Sequence, residues 1–511
     1  MSEKRQIIFL YAGITALGFL ACGLLWLAYP FGIPSPDTGS HIQHARSLHL
    51  LSPNWYDWSR TPVFSLLMKI AGAFPDPNTL IYWTHMIIFV LSFNIAAWSL
   101  LPLVFKPRHA FALSALLLCM EVLIMNAFFA NAHMLSDALY TSSVFIGCLL
   151  MLGGWKRKKM AGLYGGALIL GLAPLIKPVG LILLPLWLLF LLLACPVQRR
   201  FRSAALCCAL LLGPTLFWSA RNAYVYQRFS LSGYGSFHLL ASVIPFLQDG
   251  DTIFDDPEKN LAFIEGVRRF QTSVGTTFSD YMGNQTRSEP APYVLIMTLE
   301  PTLTPPEHRE GQQFLADSAR MRVALRIIAQ HPVAYLRQTW ERYYRLMTPL
   351  NTGFPFVSSD AAKVYEDTLS RHSEPHLRFL YPPEGSVDTS RPNKKAGALL
   401  AALQTAQHPR IQSFLKNVES LLFPVWHLLP LVLLLSWGVP TLRRWRPAAV
   451  YLSMLFLTAA LQCAGTAAVV VVTHRYSLPA QLFLDLTTLL LITLPLPFVL
   501  SALRKRLSLR Q

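Results

Sequence analysis

Charge is scarce in this chain. Only 14% of its 511 residues are Asp, Glu, Lys or Arg, against about 25% in an average soluble domain. That deficit excludes a disordered chain and a coiled coil, and it disfavours an ordinary soluble enzyme. Acid is scarcer still outside one segment. Beyond residues 220–420 the only carboxylates are Glu3, Asp37, Asp57, Asp76, Glu121, Asp137 and Asp485. The seven cysteines fall in or at the ends of apolar runs, and no C-x-x-C spacing occurs. This excludes a disulfide scaffold and a zinc or redox motif built on such a pair. No internal repeat and no low-complexity tract is found.

Apolar length is abundant. Hydrophobic residues make up 53% of the chain and mean hydropathy is +0.39. Apolar runs cover approximately 6–29, 80–103, 110–129, 135–153, 161–174, 179–195, 203–219, 421–438, 448–472 and 477–500. A helix rising 1.5 Å per residue needs about 20 residues to cross roughly 30 Å of hydrocarbon. The expected fold is therefore an all-α polytopic membrane protein of about ten transmembrane helices. Residues 1–219 would form a seven-helix module with an outward loop at 30–79. Residues 220–420 would form an external region of helices and loops between helices 7 and 8, and 421–511 a three-helix module. The pair 161–174 and 179–195 is short and divided by Pro174 and Lys177-Pro178, so its depth stays open. The first run follows MSEKR and reads as an uncleaved anchor.

The net charge of +17 first suggests nucleic acid. Its distribution does not. Residues 220–420 hold 21 basic and 20 acidic residues, and the remainder holds 23 basic and 7 acidic. The excess sits in short loops: Lys4-Arg5, Lys106/Arg108, Lys156–Lys159, Arg199-Arg200-Arg202, Arg443-Arg444-Arg446 and Arg504-Lys505-Arg506. Ten crossings with a cytoplasmic N-terminus place all six clusters, and the C-terminus, in the cytoplasm. The pattern is a topology signal and calls for no nucleic-acid partner. Within 220–420, Val333, Leu336, Trp340, Tyr343/Tyr344 and Met347 recur at helical spacing opposite Arg337, Glu341, Arg342 and Arg345. An amphipathic helix near 333–348 follows. It would lie flat on the bilayer or form one face of a soluble helical domain, and the pattern does not choose.

Among the rare acids, Asp76 reads as a turn or helix cap in Pro75-Asp76-Pro77-Asn78. Glu121 and Asp485 lie inside spans, where pairing with a buried Arg or the backbone competes with a catalytic role. Asp37 and Asp137 differ, because both sit at the outward ends of spans. Asp137 starts the fourth span, either as an N-terminal cap or as a functional acid. Two carboxylates at one face can serve as base and orienter, or as ligands of a divalent metal. His133, four residues before Asp137, would share its face in a helix, but one His–Asp pair is half a metal site. Arg46, Arg60, Lys177, Arg221 and Arg475 fall at the same face. Such cations suit phosphate recognition or snorkelling to headgroups.

These residues resemble the membrane glycosyltransferases of the GT-C class. The motifs run in order: the outward loop with Asp37, Arg60-Thr61-Pro62, the helix start at Asp137, Lys177-Pro178, Arg221-Asn222, His331-Pro332-Val333-Ala334-Tyr335-Leu336, and Arg475-Tyr476-Ser477-Leu478-Pro479. The nearest likeness is to bacterial relatives of protein O-mannosyltransferases and of the lipid A aminoarabinose transferase. That resemblance implies an inverting transferase using a polyprenyl-phosphate sugar donor at the outer face of a bacterial inner membrane. It implies Asp37 as general base, and Asp137 as orienter of the acceptor or as a ligand of a divalent metal. Arg60, Lys177 and Arg475 would bind the donor phosphate, and His41, Arg46, Tyr476 and Arg221 would line the cavity. Its acceptor would be a lipid, glycan or protein hydroxyl, with membrane lipids as surroundings. Two departures bear on metal use: His474 precedes the Arg-Tyr pair where relatives have an acid, and Thr38 follows Asp37 where some have Glu. A lipid-linked sugar flippase is the competing class, and an oligosaccharide ligase or polymerase is the competing enzyme.

Overall fold

The computed structural model describes residues 3–28, 38–48, 60–103, 107–124, 133, 135–194, 200–274, 299, 313–347, 395–396, 398–399, 409–438, 446–469 and 478–493. Asp37, Asp57, Arg475 and Tyr476 lie outside the described residues. Among those described, the elements are helices and no strand pairs into a sheet. The α-helices are α1 (Glu3–Ala28), α2 (Thr38–Ser47), α3 (Pro62–Ala71), α4 (Pro77–Leu100), α5 (Pro107–Ile124), α6 (Ser136–Arg157) and α7 (Met160–Ile176). A 3-10 turn at Pro178–Leu183 leads to α8 (Leu184–Ala194), followed by α9 (Arg200–Tyr226), α10 (Tyr234–Val243), α11 (Pro257–Val274) and α12 (Gln313–Gln330). The order closes with α13 (Pro332–Met347), α14 (Pro409–Gly438), α15 (Arg446–Val469) and α16 (Leu478–Thr493).

Where described, every apolar run of the sequence lies on a helix, but among the described residues length does not qualify all ten as spans. Five described stretches are long and apolar enough to cross a membrane: Arg5–Ala28, Pro77–Leu100, Ser136–Arg157, Arg202–Tyr226 and Arg446–Val469. Others are shorter apolar helices, among them Met160–Ile176, Pro178–Leu193 and Ala480–Leu491. Proline is one physical reason. Pro178 ends α7 through its effect on Lys177, whose backbone is extended at φ −147°, ψ 123°. Pro174 lies inside α7 near its end, whereas Pro424 and Pro430 do not interrupt α14, which runs unbroken over Pro409–Gly438.

Two main cores form. The larger runs through α1–α9 and α13–α16, with Trp187, Tyr82, Tyr140 and Tyr451 among its fully buried side chains. The smaller joins α10, α11 and α12 through Leu240, Val243, Phe263, Val267, Val323 and Ile327. The polar region after α9 therefore has an apolar centre of its own. Backbone contact is especially close between α6 and α7. A Cβ on Gly166 would lie 2.6 Å from the Gly147 carbonyl oxygen, and one on Gly162 would lie 2.9 Å from the Gly154 Cα. Gly162 and Gly166 form a small-x-x-x-small stripe, the pattern that lets apolar helices touch backbone to backbone. Polar ties cross the same bundle. The Ser99 hydroxyl donates to the Leu149 carbonyl at 2.9 Å, and the Tyr451 hydroxyl to the Ser99 carbonyl at 2.8 Å.

Two expectations change. Inside the bundle the carboxyls of Asp485 and the buried Glu121 lie close enough to interact, so each has another acid as a neighbour, where the sequence left a buried Arg, the backbone or a catalytic role open. The amphipathic helix is present as α13, but its stripe is divided. Tyr343, Leu346 and Met347 are buried in the main core, while Val333, Leu336, Trp340 and Tyr344 are exposed. Arg342, expected on the polar face, is buried, and its guanidinium donates to the Ser242 carbonyl at 3.4 Å. The reason is rotation: α15 covers the helix on the side carrying Leu346 and Met347, which turns Arg342 inward.

Replacing Gly166 by Leu is expected to lower the melting temperature in detergent, by an overpacking cost of about 1–3 kcal/mol. The neighbouring Gly165→Leu should change it far less, because a Cβ there would meet only the tip of Leu150 at 3.9 Å.

Candidate active site

The ends of α2, α3, α6, α7 and α9 that carry the sequence motifs bring most of the described candidates together. Helix α2 has few apolar residues, yet Thr38, Gly39, His41, Ile42, His44 and Ala45 are buried. Positions 38, 41, 42 and 45 share one helical face, so this burial follows the 3.6-residue period. The His41 ring stands edge-on to Phe64 at 5.0 Å, and Phe64 stacks on His85 at 5.8 Å. Lys69 pins the far end of α2 by donating to the Leu48 carbonyl at 2.7 Å.

Arg60 and Thr61 precede α3, whose first residue is Pro62, a position where its missing N–H costs nothing. The Arg60 Nε donates to the Ser40 Oγ at 3.0 Å. The Thr61 hydroxyl donates to the Ile176 carbonyl at 2.9 Å, which ties α3 to the end of α7. Lys177 follows immediately. Its Nζ meets the Asp137 carboxylate at 2.5 Å, with both side chains largely buried. Asp137 is the second residue of α6, after Leu135 at the cap position and Ser136. It is therefore not the cap. It is a first-turn acid favoured by the helix dipole and committed to Lys177.

Arg221 reaches the site from α9. Its guanidinium lies 4.8 Å from the Trp218 ring centre and 5.1 Å from that of Tyr226, and it donates to the Asn222 Oδ1 at 3.0 Å. Asn222 in turn donates to the Ser230 carbonyl at 2.8 Å. Leu175, Trp218 and Leu231, with Leu48, Val63 and Leu172 against them, form an apolar floor beneath these groups. Arg60 and Arg221 both act on His44, a residue the motif reading missed. Its signal was its place three residues after His41. Burial first, then the charges of Arg60 and Arg221, hold the His44 pKa down at about 3, against an ordinary value near 6.5. The imidazole is neutral and adds no charge to a site already rich in cations.

Two candidates do not join this group. Arg46 is on the exposed side of α2. His133 is buried, but α6 starts only at Ser136, and the Leu135 amide donates to the His133 carbonyl at 2.9 Å. The shared helical face expected for His133 and Asp137 is absent, because helical geometry begins only after Leu135, whose backbone is extended. Among the described residues no three His, Cys, Asp or Glu side chains gather as ligands for a metal ion. The arrangement instead offers cations around an apolar floor, one carboxylate held by a Lys, and the opening of α2 directly after Asp37. No family model matches the chain, and no curated protein or solved structure matches it.

Two outcomes follow. Lys177→Met leaves the Asp137 carboxylate buried and uncompensated, and should cost about 3–5 kcal/mol. The double variant with Asp137→Asn should recover much of that loss in a thermal melt. For His44, the folded pKa lies below the unfolded one. Its contribution to stability is full above pH ~6.5 and is lost as pH falls toward 3, at up to ~1.4 kcal/mol per pH unit. The melting temperature of wild type should drop between pH ~6.5 and ~4.5, and His44→Gln should flatten that slope.

Proposed function

We propose that this chain is an inverting membrane glycosyltransferase. It moves a sugar from a polyprenyl-phosphate donor to an acceptor hydroxyl at the outer face of a bacterial inner membrane. The observation that supports this reading best is the convergence of Arg60, Arg221 and the Lys177–Asp137 pair over one apolar floor. A lipid-linked phosphate needs that combination, with cations for its charge and an apolar surface for its chain. In this reading all ten apolar runs cross or enter the bilayer, and the six basic clusters lie in the cytoplasm.

In the proposed step the acceptor oxygen attacks the anomeric carbon from the face opposite the phosphate. The new C–O bond forms as the bond from the anomeric carbon to the phosphate oxygen breaks. Asp37 takes the acceptor proton, and the electron pair of the broken bond leaves on the polyprenyl phosphate. Arg60, Lys177 and Arg475 stabilise that added charge, in surroundings that exclude water and strengthen each contact. Asp137 holds Lys177 in place, a role that replaces orienting the acceptor. Arg221 is held between two aromatic rings and is well placed to extend the field. The donor arrives already activated, so positioning and electrostatics supply most of the rate.

The test is sugar transfer by purified protein in detergent, from a panel of labelled polyprenyl-phosphate sugars to an envelope extract. Asp37→Asn should reduce turnover about 10²–10⁴-fold with an unchanged melt, and Arg60→Gln should weaken transfer while leaving the fold intact. Equal transfer by wild type and Asp37→Asn would remove Asp37 as the base. No transfer by wild type with any donor would favour a flippase, to be followed by a liposome flipping assay.

A further inference from the structure

Helix α13 packs mainly on the large bundle, where it runs alongside α15. Near its start the Tyr335 hydroxyl donates to the Ala468 carbonyl at 2.9 Å, one residue from the end of α15. Near its end the Tyr343 hydroxyl meets the His427 Nε2 at 2.7 Å, and the His427 ring packs on Phe456 at 5.1 Å. Ala468 and Phe456 are twelve residues apart on α15, about 18 Å along its axis. If α15 spans the bilayer, α13 descends from its outer end well into the hydrocarbon.

One flank of what α13 leaves uncovered is apolar. Val333 is 77% exposed, Leu336 65% and Trp340 57%, in line with Tyr344. That stripe continues onto α14. Trp340 and Tyr344 both contact Phe423, at ring-centre distances of 6.5 and 4.9 Å. Beyond Phe423, α14 exposes Val425, Leu428 and Val432. Beside the stripe are Arg337 and Glu341, joined at 3.1 Å, and the exposed Arg345. A soluble helix with this much uncovered apolar surface would be a liability in water.

We infer that α13 is a re-entrant helix of the outward leaflet, with its Val333–Leu336–Trp340–Tyr344 stripe in direct contact with phospholipid acyl chains. Arg337, Glu341 and Arg345 lie on the flank beside that stripe and face a water-filled side of the helix, as charged side chains at membrane depth do. A cavity of about 640 Å³ lined by Phe246, His331, Pro332, Val333, Arg337 and Gln338 opens beside the start of the helix, at the level this places near the headgroups. The inference rests on the membrane-spanning reading of α15 and is independent of the transferase chemistry.

The test uses the full chain in phosphatidylcholine/phosphatidylglycerol liposomes. Leu336→Cys and Val333→Cys are each labelled with an environment-sensitive nitrobenzoxadiazole dye. Glu341→Cys serves as the polar-side control, and wild type carried through the same labelling sets the background. Labels at 333 and 336 should emit to the blue and lose intensity when doxyl-labelled phospholipids are included, while the label at 341 should do neither. Blue emission without doxyl quenching would mean that protein covers the stripe, and would overturn the proposal. Red, unquenched emission would place the stripe in water and also overturn it. Two positions guard against one variant failing to fold, which the melting temperature reports. The readout does not depend on transfer activity.

Discussion

A peptide N–H or C=O without a partner in hydrocarbon costs several kcal/mol. That constraint governs most of what is seen here. It turns the apolar runs of this chain into helix, since a helix satisfies its own backbone without leaving an edge. It also sends the exceptions to places where side chains can repair them. The break between α7 and the following 3-10 turn is the clearest. Pro178 forces Lys177 out of helical geometry, and the Ile176 carbonyl is taken by the Thr61 hydroxyl. The repair of a backbone defect thereby brings Arg60 and Lys177 to one place.

The electrostatics of the site follow from the same junction. Lys177 projects where α7 ends, and Asp137 lies in the first turn of α6, whose dipole already favours a negative group. Their pairing neutralises both where water is scarce. Arg60 is held by a hydrogen bond to Ser40, and Arg221 by one to Asn222 and by contacts with two aromatic rings. His44 lies within their field and stays neutral. The net effect is a site with surplus positive charge beside an apolar cluster.

Much of this was legible in advance. Helix content, the grouping of Arg60, Asp137, Lys177 and Arg221, and the amphipathic segment at α13 all follow from apolar run length and helical period. The partners were less so. Asp137 was open to reading as a cap, a metal ligand or an orienter, because its contact with Lys177 joins residues 40 positions apart. The face shared with His133 failed because helix geometry begins three residues later than the spacing assumed. Glu121 and Asp485 were each open to pairing with a buried Arg or the backbone or to a catalytic role, whereas their carboxyls lie near each other.

What the sequence determines by itself is local. Length and hydropathy dictate helices, proline dictates where they stop, and the sparse charges mark the ends of the apolar runs. These depend on backbone hydrogen bonds and on transfer of side chains between water and oil, which act residue by residue. Only the tertiary structure decides which charged groups pair and which face of α13 is covered. Such choices turn on shape: on the glycine contact that sets α6 against α7, and on the rotation of α13 that buries Arg342 and exposes Trp340. A rotation of one helix by a fraction of a turn leaves its hydropathy pattern unchanged and alters every contact it makes.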